Sequence, residues 1–199
     1  MPSNRSKLTR LLTCAGAVAA VLFVLPVPTA SAAEETGRDV AGDVRSRGVH
    51  VDTTPRQPEP QRKLGDIVRY GASYDAALVV TTRFRDLSAR GHQEFSWYLR
   101  TSGDRFEWYA ALIVKPGQDA GAFTLIDPLA NRLRCGRAEL DRSARTVTLR
   151  IPRSCLRNPA WVKVAHGARV YARGREYSDD ARRDTVKASG WTFGPKLGQ

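Results

Sequence analysis

The residue types that carry most enzyme chemistry are sparse in this sequence and poorly spaced for catalysis or metal binding. The three histidines, His50, His92 and His166, form neither a His-x-x-x-His nor a His-Glu-x-x-His arrangement. The sequence also lacks a Gly-x-Ser-x-Gly elbow, a P-loop and a dinucleotide-binding fingerprint. Carboxylate pairs for glycoside hydrolysis need only spatial proximity, so the sequence leaves that class open. We expect a protein that is not an enzyme and needs no cofactor.

A cation could bind to an acidic stretch near the C-terminus. This stretch contains Asp179, Asp180 and Asp184. Its spacing lacks the signature of a calcium-binding loop. Arg182 and Arg183 lie within the same stretch, so we expect a solvated charged turn and no metal site.

The N-terminal region has the three parts of an export signal. Residues 1–10 carry basic residues and no acid, residues 11–27 are apolar, and Ala30-Ser31-Ala32 is an A-x-A cleavage site. The apolar run is too short and wrongly flanked for a stable membrane span. Cys14 lies at the start of that run, where a lipid anchor is not expected. We therefore expect residues 1–32 to be a signal peptide and the protein to be secreted.

The mature chain keeps two cysteines, Cys135 and Cys155. In an oxidising compartment an even pair is typical of a disulfide. A metal site or a catalytic thiol is the alternative, but two cysteines with no histidine between them make a poor ligand set. We predict a Cys135–Cys155 bridge, worth about 3 kcal/mol in the chain-entropy estimate for a loop of this length.

The formal net charge is +12, and the excess of the mature chain lies in residues 132–175, with twelve basic and two acidic residues. Such asymmetry predicts an anionic partner, which outside the membrane means an anionic cell-wall polymer or glycan, lipid head groups or nucleic acid. Nucleic acid is not expected as the main partner, because no recognition helix or Arg-Gly-Gly run appears. The competing explanation is a GC-rich genome, since arginines outnumber lysines 26 to 6.

The elements that must position any binding group are strands, and the clearest form a hairpin over Gln93–Lys115. Apolar and polar residues alternate on both sides of a turn at Ser102–Arg105. The turn sets a register that pairs large with smaller residues on the inner face: Phe95 with Leu112, Trp97 with Ala110, and Leu99 with Trp108. On the outer face the same register pairs Tyr98 with Tyr109 and Arg100 with Glu107.

Seven to nine short strands, separated by turn signals, predict an all-β fold, an antiparallel β-sandwich of two sheets in the jelly-roll or immunoglobulin-like manner. We place this domain at residues 64–175. Residues 33–63 contain three prolines and equal numbers of basic and acidic residues, which is typical of a flexible linker. Residues 176–199 are expected to form a C-terminal tail that packs on the sandwich, with Trp191 covering one end.

Three motifs carry a family resemblance: the strand Val-Val-Thr-Thr-Arg-Phe-Arg-Asp-Leu at 79–87, the turn Ile-Pro-Arg-Ser-Cys-Leu at 151–156, and Trp161-Val-Lys-Val. Together with the Ala-rich signal, they resemble the small exported β-sandwich proteins of high-GC Gram-positive bacteria, which are distantly similar to DOMON-type and carbohydrate-binding sandwiches. The resemblance implies a sandwich fold over 64–175. A fold does not by itself imply an activity.

The outer side of the hairpin is the predicted binding face. A short connection, residues 86–93, makes the preceding strand its expected antiparallel neighbour. The predicted ligand-binding patch then consists of Thr81, Arg83, Arg85, Tyr98, Arg100 and Tyr109. Ring faces supply apolar contact and guanidinium groups supply forked donors, which suits sugars and anionic polymers. An ordinary solvated sheet face is the competing interpretation.

Two functions of different classes remain open. The first is a secreted, non-catalytic binding module for a cell-wall or extracellular glycan or anionic polymer. The second is a structural or protein-interaction domain of the cell envelope that has no small ligand and whose arginines only solubilise it. Steep salt dependence of binding to isolated cell wall would favour the first function.

Overall fold

The computed structural model describes residues 33–49, 56–182 and 192–198, and within these ranges the regular secondary structure is almost entirely β-strand. The strands are β1 (Ala33–Arg38), β2 (Arg45–Gly48), β3 (Gln57–Pro58), β4 (Ile67–Tyr74), β5 (Ala77–Phe84), β6 (His92–Thr101), β7 (Trp108–Val114), β8 (Ala122–Ile126), β9 (Arg132–Leu133), β10 (Arg137–Asp141), β11 (Thr146–Pro152), β12 (Val162–Ala172) and β13 (Arg175–Asp180). A single 3₁₀ turn, Arg153–Leu156, follows β11.

The strands form two antiparallel sheets that pack face to face, which confirms the predicted all-β sandwich. The five-stranded sheet has the order β1-β4-β5-β11-β10, and the eight-stranded sheet has the order β3-β2-β13-β12-β6-β7-β8-β9. Buried residues alternate with more exposed ones along β5 and β11. This period of two is what a strand needs when one face packs on the core and the other faces water.

The hairpin of β6 and β7 has the predicted register. Phe95 lies opposite Leu112, and Leu99 lies opposite Trp108. These inner-face side chains are buried in the core between the sheets. The indole nitrogen of Trp108 also donates a 2.7 Å hydrogen bond to the Asp104 carboxylate in the turn. The turn and the apolar face therefore specify one register together, since a slip by one residue would turn the large rings outward.

Cys135 and Cys155 form the predicted disulfide, with their Cα atoms 6.0 Å apart. The bond ties the segment after β9 to the 3₁₀ turn after β11. Leu156 of that turn is buried in the core. The disulfide thus joins two loops that pack against the core.

Residues 33–63 are not a flexible linker where the structure describes them. β1 pairs with β4 over its whole length, β2 pairs with β13, and β3 pairs with β2. Val44 is 1% exposed, so this segment also contributes to the interior. The strands are hard to recognise in the sequence because their side chains are mostly polar. At a sheet edge, backbone hydrogen bonds rather than apolar burial hold such strands in place.

The predicted tail, residues 176–199, begins inside a strand, so the sandwich extends past the boundary placed at Arg175. β13 pairs with the second half of β12. The first half of β12 is covered by a segment that comes later in the chain. There the Gly194 amide donates to the Val164 carbonyl at 2.9 Å, and Val162 and Leu197 exchange backbone hydrogen bonds of 2.9 and 2.8 Å.

Some predictions concern residues outside the described ranges. They are the signal peptide over 1–32, the role of Trp191, and the contribution of Asp184 to the acidic stretch. Among the residues that are described, no helix is long and apolar enough to cross a membrane.

Candidate functional site

The predicted patch of six residues does not form, because its two halves lie on different sheets. β5 carries Arg83 in the five-stranded sheet, whereas β6 carries Tyr98 in the eight-stranded sheet. The connection after β5 crosses from one sheet to the other, and Leu87 within it is buried in the core. Thr81, Arg83 and Arg85 are therefore separated by the core from the outer hairpin residues Tyr98, Arg100 and Tyr109, and the prediction that β5 neighbours the hairpin is wrong.

The outer face of the five-stranded sheet carries a row of three arginines on adjacent strands. Arg38 on β1 lies opposite Arg69 on β4, and Arg69 lies opposite Arg83 on β5. All three side chains are exposed. We call these three residues the arginine row. Neighbouring strands are about 4.8 Å apart, so the row places three cationic side chains side by side across the sheet.

No carboxylate neutralises the arginine row within the described ranges: none of its members forms an ion pair there. On the next strands Arg83 faces Thr146, and Thr146 faces Asp141. Hydrogen bonds from the Ser143 hydroxyl and the Ala144 amide occupy the Asp141 carboxylate and lower its pKa. Like charges at directly opposed positions destabilise a sheet, so the row is an arrangement that packing alone would not favour.

Two shallow depressions lie on this face and share the arginine row. The larger one, about 580 Å³, is lined by Thr36, Gly37, Arg38, Arg69, Tyr70, Gly71, Thr81, Arg83 and Thr146. The other, about 460 Å³, is lined by Arg38, Lys63, Val68, Arg69, Arg83, Phe84, Arg85 and Arg145. Six cationic residues and no acidic residue line the two depressions, which together we call the arginine face.

Threonine hydroxyls accompany the cations. In the register row beside the arginine row, Thr36 faces Gly71, Gly71 faces Thr81, and Thr81 faces Thr148. Gly71 has no side chain to fill the space between its neighbours, which leaves the floor of the larger depression open. Guanidinium groups next to hydroxyls offer many hydrogen-bond donors to oxygen-rich anions.

Arg85 is held more tightly than the arginine row. Its guanidinium forms a 2.7 Å ion pair with the fully buried Asp66, which also accepts a hydrogen bond from the Gly42 amide. Burial raises the pKa of Asp66, and the contacts with Arg85 and Gly42 oppose that rise. Arg145 donates to the Arg85 carbonyl at 3.0 Å. Arg85 therefore has a structural partner, and Arg83 is the predicted site residue whose charge remains available.

The outer side of the hairpin is occupied by contacts among its own residues. The rings of Tyr98 and Tyr109 are 5.1 Å apart, and the Tyr109 hydroxyl donates to Glu94 at 3.0 Å. Burial, followed by the charge of Glu94, raises the pKa of Tyr109. Arg100 donates two hydrogen bonds to Glu107.

The ring of Phe193, in the segment that covers β12, lies 4.1 Å from the Arg100 guanidinium. The structure therefore brings Tyr98, Arg100 and Tyr109 together. However, it places them in an internal network with less free donor capacity than the arginine face.

The basic excess of residues 132–175 is not one surface patch. Acids from elsewhere in the chain pair with several of its arginines: Asp119 with Arg142, Asp104 and Asp127 with Arg157, Glu94 with Arg169, and Glu59 with Arg175. Arg145 is the member of this segment that joins the arginine face. The charge count along the sequence indicates one segment, whereas the arginine face takes five of its six cations from outside that segment.

The acidic stretch is not the predicted solvated turn. Asp179 and Asp180 are each 8% exposed, and carboxylate oxygens of Asp39, Asp43 and Asp179 lie within 4.8 Å of one another. Oxygen ligands of this kind suit Ca²⁺. However, both oxygens of Asp179 already accept backbone hydrogen bonds, from Ile67 and from Asp180. Burial, with the charge of Asp43 next, raises the pKa of Asp179 well above its ordinary value.

Two members of the arginine row, Arg38 and Arg69, have no predicted role in the sequence. Arg38 falls in the segment interpreted as a linker, and Arg69 lies before the short turn that joins β4 to β5. The short turn is the signal that could have identified Arg69 as a site residue, because a tight hairpin at residues 75–76 places Arg69 near Arg83. No comparable local signal reveals Arg38, whose partner strand is distant in the sequence.

No protein-family model matches the chain, and no curated protein matches it significantly in sequence. The resemblance to exported sandwich proteins therefore stays a prediction, and the geometry of the site carries the functional argument.

Proposed function

We propose that the protein is a secreted, non-catalytic binding module that holds an anionic cell-wall polymer or anionic glycan on the arginine face. The observation that carries this proposal is the row Arg38, Arg69 and Arg83, in which like charges face each other across strands without a carboxylate among the described residues. A polyanion laid across the strands would neutralise this row and turn an unfavourable arrangement into a favourable one.

A polymer fits the face better than a small anion. The depressions are open and shallow, and their cations extend over several strands rather than converging on one point. A linear chain with repeated negative groups contacts several guanidinium groups at once, and each such pair forms charge-assisted hydrogen bonds. Threonine hydroxyls beside the row add partners for sugar or polyol hydroxyls.

Binding without catalysis is supported by the side chains that the face offers. They are guanidinium, ammonium, hydroxyl and apolar groups, and the residues lining the two depressions include no histidine or carboxylate that could act as a general acid or base. Secretion is supported by the signal-like N-terminal region and by the Cys135–Cys155 disulfide, which is typical of oxidising compartments.

The test measures binding of the purified protein to isolated cell wall, to a soluble polyuronate and to an uncharged polysaccharide over a series of salt concentrations. We expect binding to the two anionic materials only, with affinity falling steeply as salt rises. The double variant Arg69→Gln with Arg83→Gln should bind at least about tenfold more weakly, since each charge-assisted contact is worth about a factor of ten.

A matched control removes the same charge from the same sheet. Arg137 and Arg150 also face each other across neighbouring strands and are exposed, but here Glu139 forms an ion pair with Arg137. Arg137→Gln with Arg150→Gln should change the affinity by less than about twofold if the arginine face is the site. Equal losses in both double variants would mean that only net charge matters. No binding to any anionic material would reject the proposed function and leave a structural or protein-interaction domain.

A further inference from the structure

A second polar site lies in the interior between the sheets, apart from the arginine face. At its centre is His166 on β12, 2% exposed, whose ring stands edge-on to the ring of Tyr70 in the opposite sheet, with 5.4 Å between centroids. The guanidinium of Arg182 lies 4.3 Å from the same tyrosine ring. Trp97 faces His166 across the strands, and Thr82 faces Tyr70. Side chains from both sheets therefore meet at this point.

Six buried polar atoms of this group have no hydrogen-bond partner within the part of the chain that the structure describes: Thr82 Oγ1, Trp97 Nε1, His166 Nδ1, His166 Nε2, Arg182 Nε and Arg182 Nη1. Buried polar atoms of folded proteins are nearly always hydrogen-bonded, to protein or to ordered water. Each of these side chains neighbours Tyr70 or His166, and so many unsatisfied atoms on neighbouring side chains indicate a molecule that supplies the missing partners.

The chemistry of these atoms narrows the choice of that molecule. Burial, with the charge of Arg182 second, lowers the pKa of His166 to about 3, so its neutral ring has one donor and one acceptor. With the N–H groups of Trp97 and Arg182, donors outnumber acceptors, and the occupant must present acceptor oxygens. Arg182 is already paired with Glu35. An added anion would therefore be buried without a counter-ion, which favours an uncharged occupant.

We propose that this interior site binds a small uncharged molecule that carries hydroxyl or carbonyl oxygens, in the class of sugars and polyols. A hydroxyl group suits the site because it accepts from Trp97 or Arg182 and donates to the unprotonated nitrogen of His166. Gly194 packs closely against the Arg182–Glu35 pair, since an added Cβ atom there would collide with both side chains. This binding site does not depend on the proposed function of the arginine face.

The test uses the purified protein and three probes: glycerol, glucose and N-acetylglucosamine. Each is titrated while the imidazole ¹⁵N resonances of His166 and the thermal midpoint are followed. We expect at least one probe to shift the His166 resonances and raise the midpoint saturably. In His166→Phe, which keeps a ring but removes both nitrogens, that probe should bind about tenfold more weakly or worse, as expected for the loss of one hydrogen bond.

Two further variants make the result decisive. Thr82→Val keeps the shape of the side chain and removes one unsatisfied oxygen, so it tests the site if His166→Phe does not fold. Arg150→Gln, at an exposed position outside both the interior site and the arginine face, should leave probe binding unchanged. The proposal is overturned if none of the probes affects His166 or the thermal midpoint, or if His166→Phe and Thr82→Val bind the probe as tightly as the wild-type protein does. Ordered water alone on these six atoms, in a high-resolution structure grown with the probes, would overturn it too.

Discussion

Arg69 lies directly opposite Arg83 on the neighbouring strand, with Arg38 opposite Arg69 on the other side. Opposed like charges destabilise a sheet, whereas an opposite-charge pair in the same place would stabilise it. The fold therefore keeps an arrangement that lowers its own stability at the surface where the proposed ligand binds. A conflict of this kind between stability and function is measurable, because the two properties should change in opposite directions on mutation.

Arg69→Glu should raise the free energy of unfolding by about 0.5–1 kcal/mol at low salt, because it places a carboxylate between two arginines. The same change should abolish binding to anionic polymers. Urea denaturation at low and high salt measures the first effect, which should shrink as salt screens the pairs. Arg69→Gln removes the repulsion between arginines without adding a carboxylate, so the difference between the two variants measures the new attraction. Lower stability of Arg69→Glu at low salt would show that the arginine row is not under electrostatic strain.

Loss of the disulfide should destabilise the domain. Replacing Cys135 and Cys155 by serine removes a constraint on the unfolded chain worth about 3 kcal/mol for a separation of 20 residues. Denaturant unfolding of the oxidised protein and the double variant measures the difference. The wild-type protein under reducing conditions is the control and should match the variant. Equal stability of the oxidised protein and the variant would contradict the prediction.

Stability should depend on pH through Asp179. Because burial and Asp43 raise the pKa of Asp179 in the folded protein, the folded state holds its proton more tightly than the unfolded state. The contribution of this proton to the free energy of unfolding is full below the pKa of the unfolded state, about 3.9, and is lost as pH rises through the pKa of the folded state.

Asp43→Asn should lower the pKa of Asp179, so the free energy of unfolding should fall less steeply as pH rises. Urea unfolding over a pH series measures this dependence. Asp75→Asn, in an exposed turn, removes the same charge and should leave the slope as it is. An unchanged slope in Asp43→Asn would argue against the coupling.

Gly37→Ala should loosen β1. Gly37 faces Tyr70 across the strands, and an added Cβ would collide with the tyrosine ring. We expect a loss of about 1–3 kcal/mol, typical of overpacking, and faster amide exchange over residues 33–38. Gly103→Ala is the control, because an added Cβ there has no atom within 4 Å. If both variants are equally stable, β1 is not packed on the sheet as the structure has it.

The parts of the fold that the sequence predicts are those fixed by local chemistry. The register of Phe95 opposite Leu112 follows from a short turn and an alternating pattern, because both lie within one hairpin. The strand that pairs with β5 cannot be predicted from local sequence in this way. A connection as short as residues 85–91 allows a hairpin or a crossing between sheets, and the burial of Leu87, which only the folded structure shows, marks the crossing.

The candidate site was predictable in part, for a similar reason. Arg83 stands out as an exposed cation on a clear strand, but the arginine row depends on pairings across three strands. The pairing of Arg38 with Arg69 joins segments about thirty residues apart, and β1 has no apolar alternation to reveal it. The interior group around His166 is less visible still, because a lone histidine and a distant arginine in a sequence do not show that they share one buried space.

The long strand β12 is shielded on one edge by two separate segments, β13 along its second half and residues 194–197 along its first. An open strand edge is a template on which another chain can add its own strand. Residues 194–197 therefore extend the sheet and also cover a strand edge that could otherwise pair with another molecule. If they were lost, the backbone of residues 162–164 would be free to pair with an exposed strand of a second molecule.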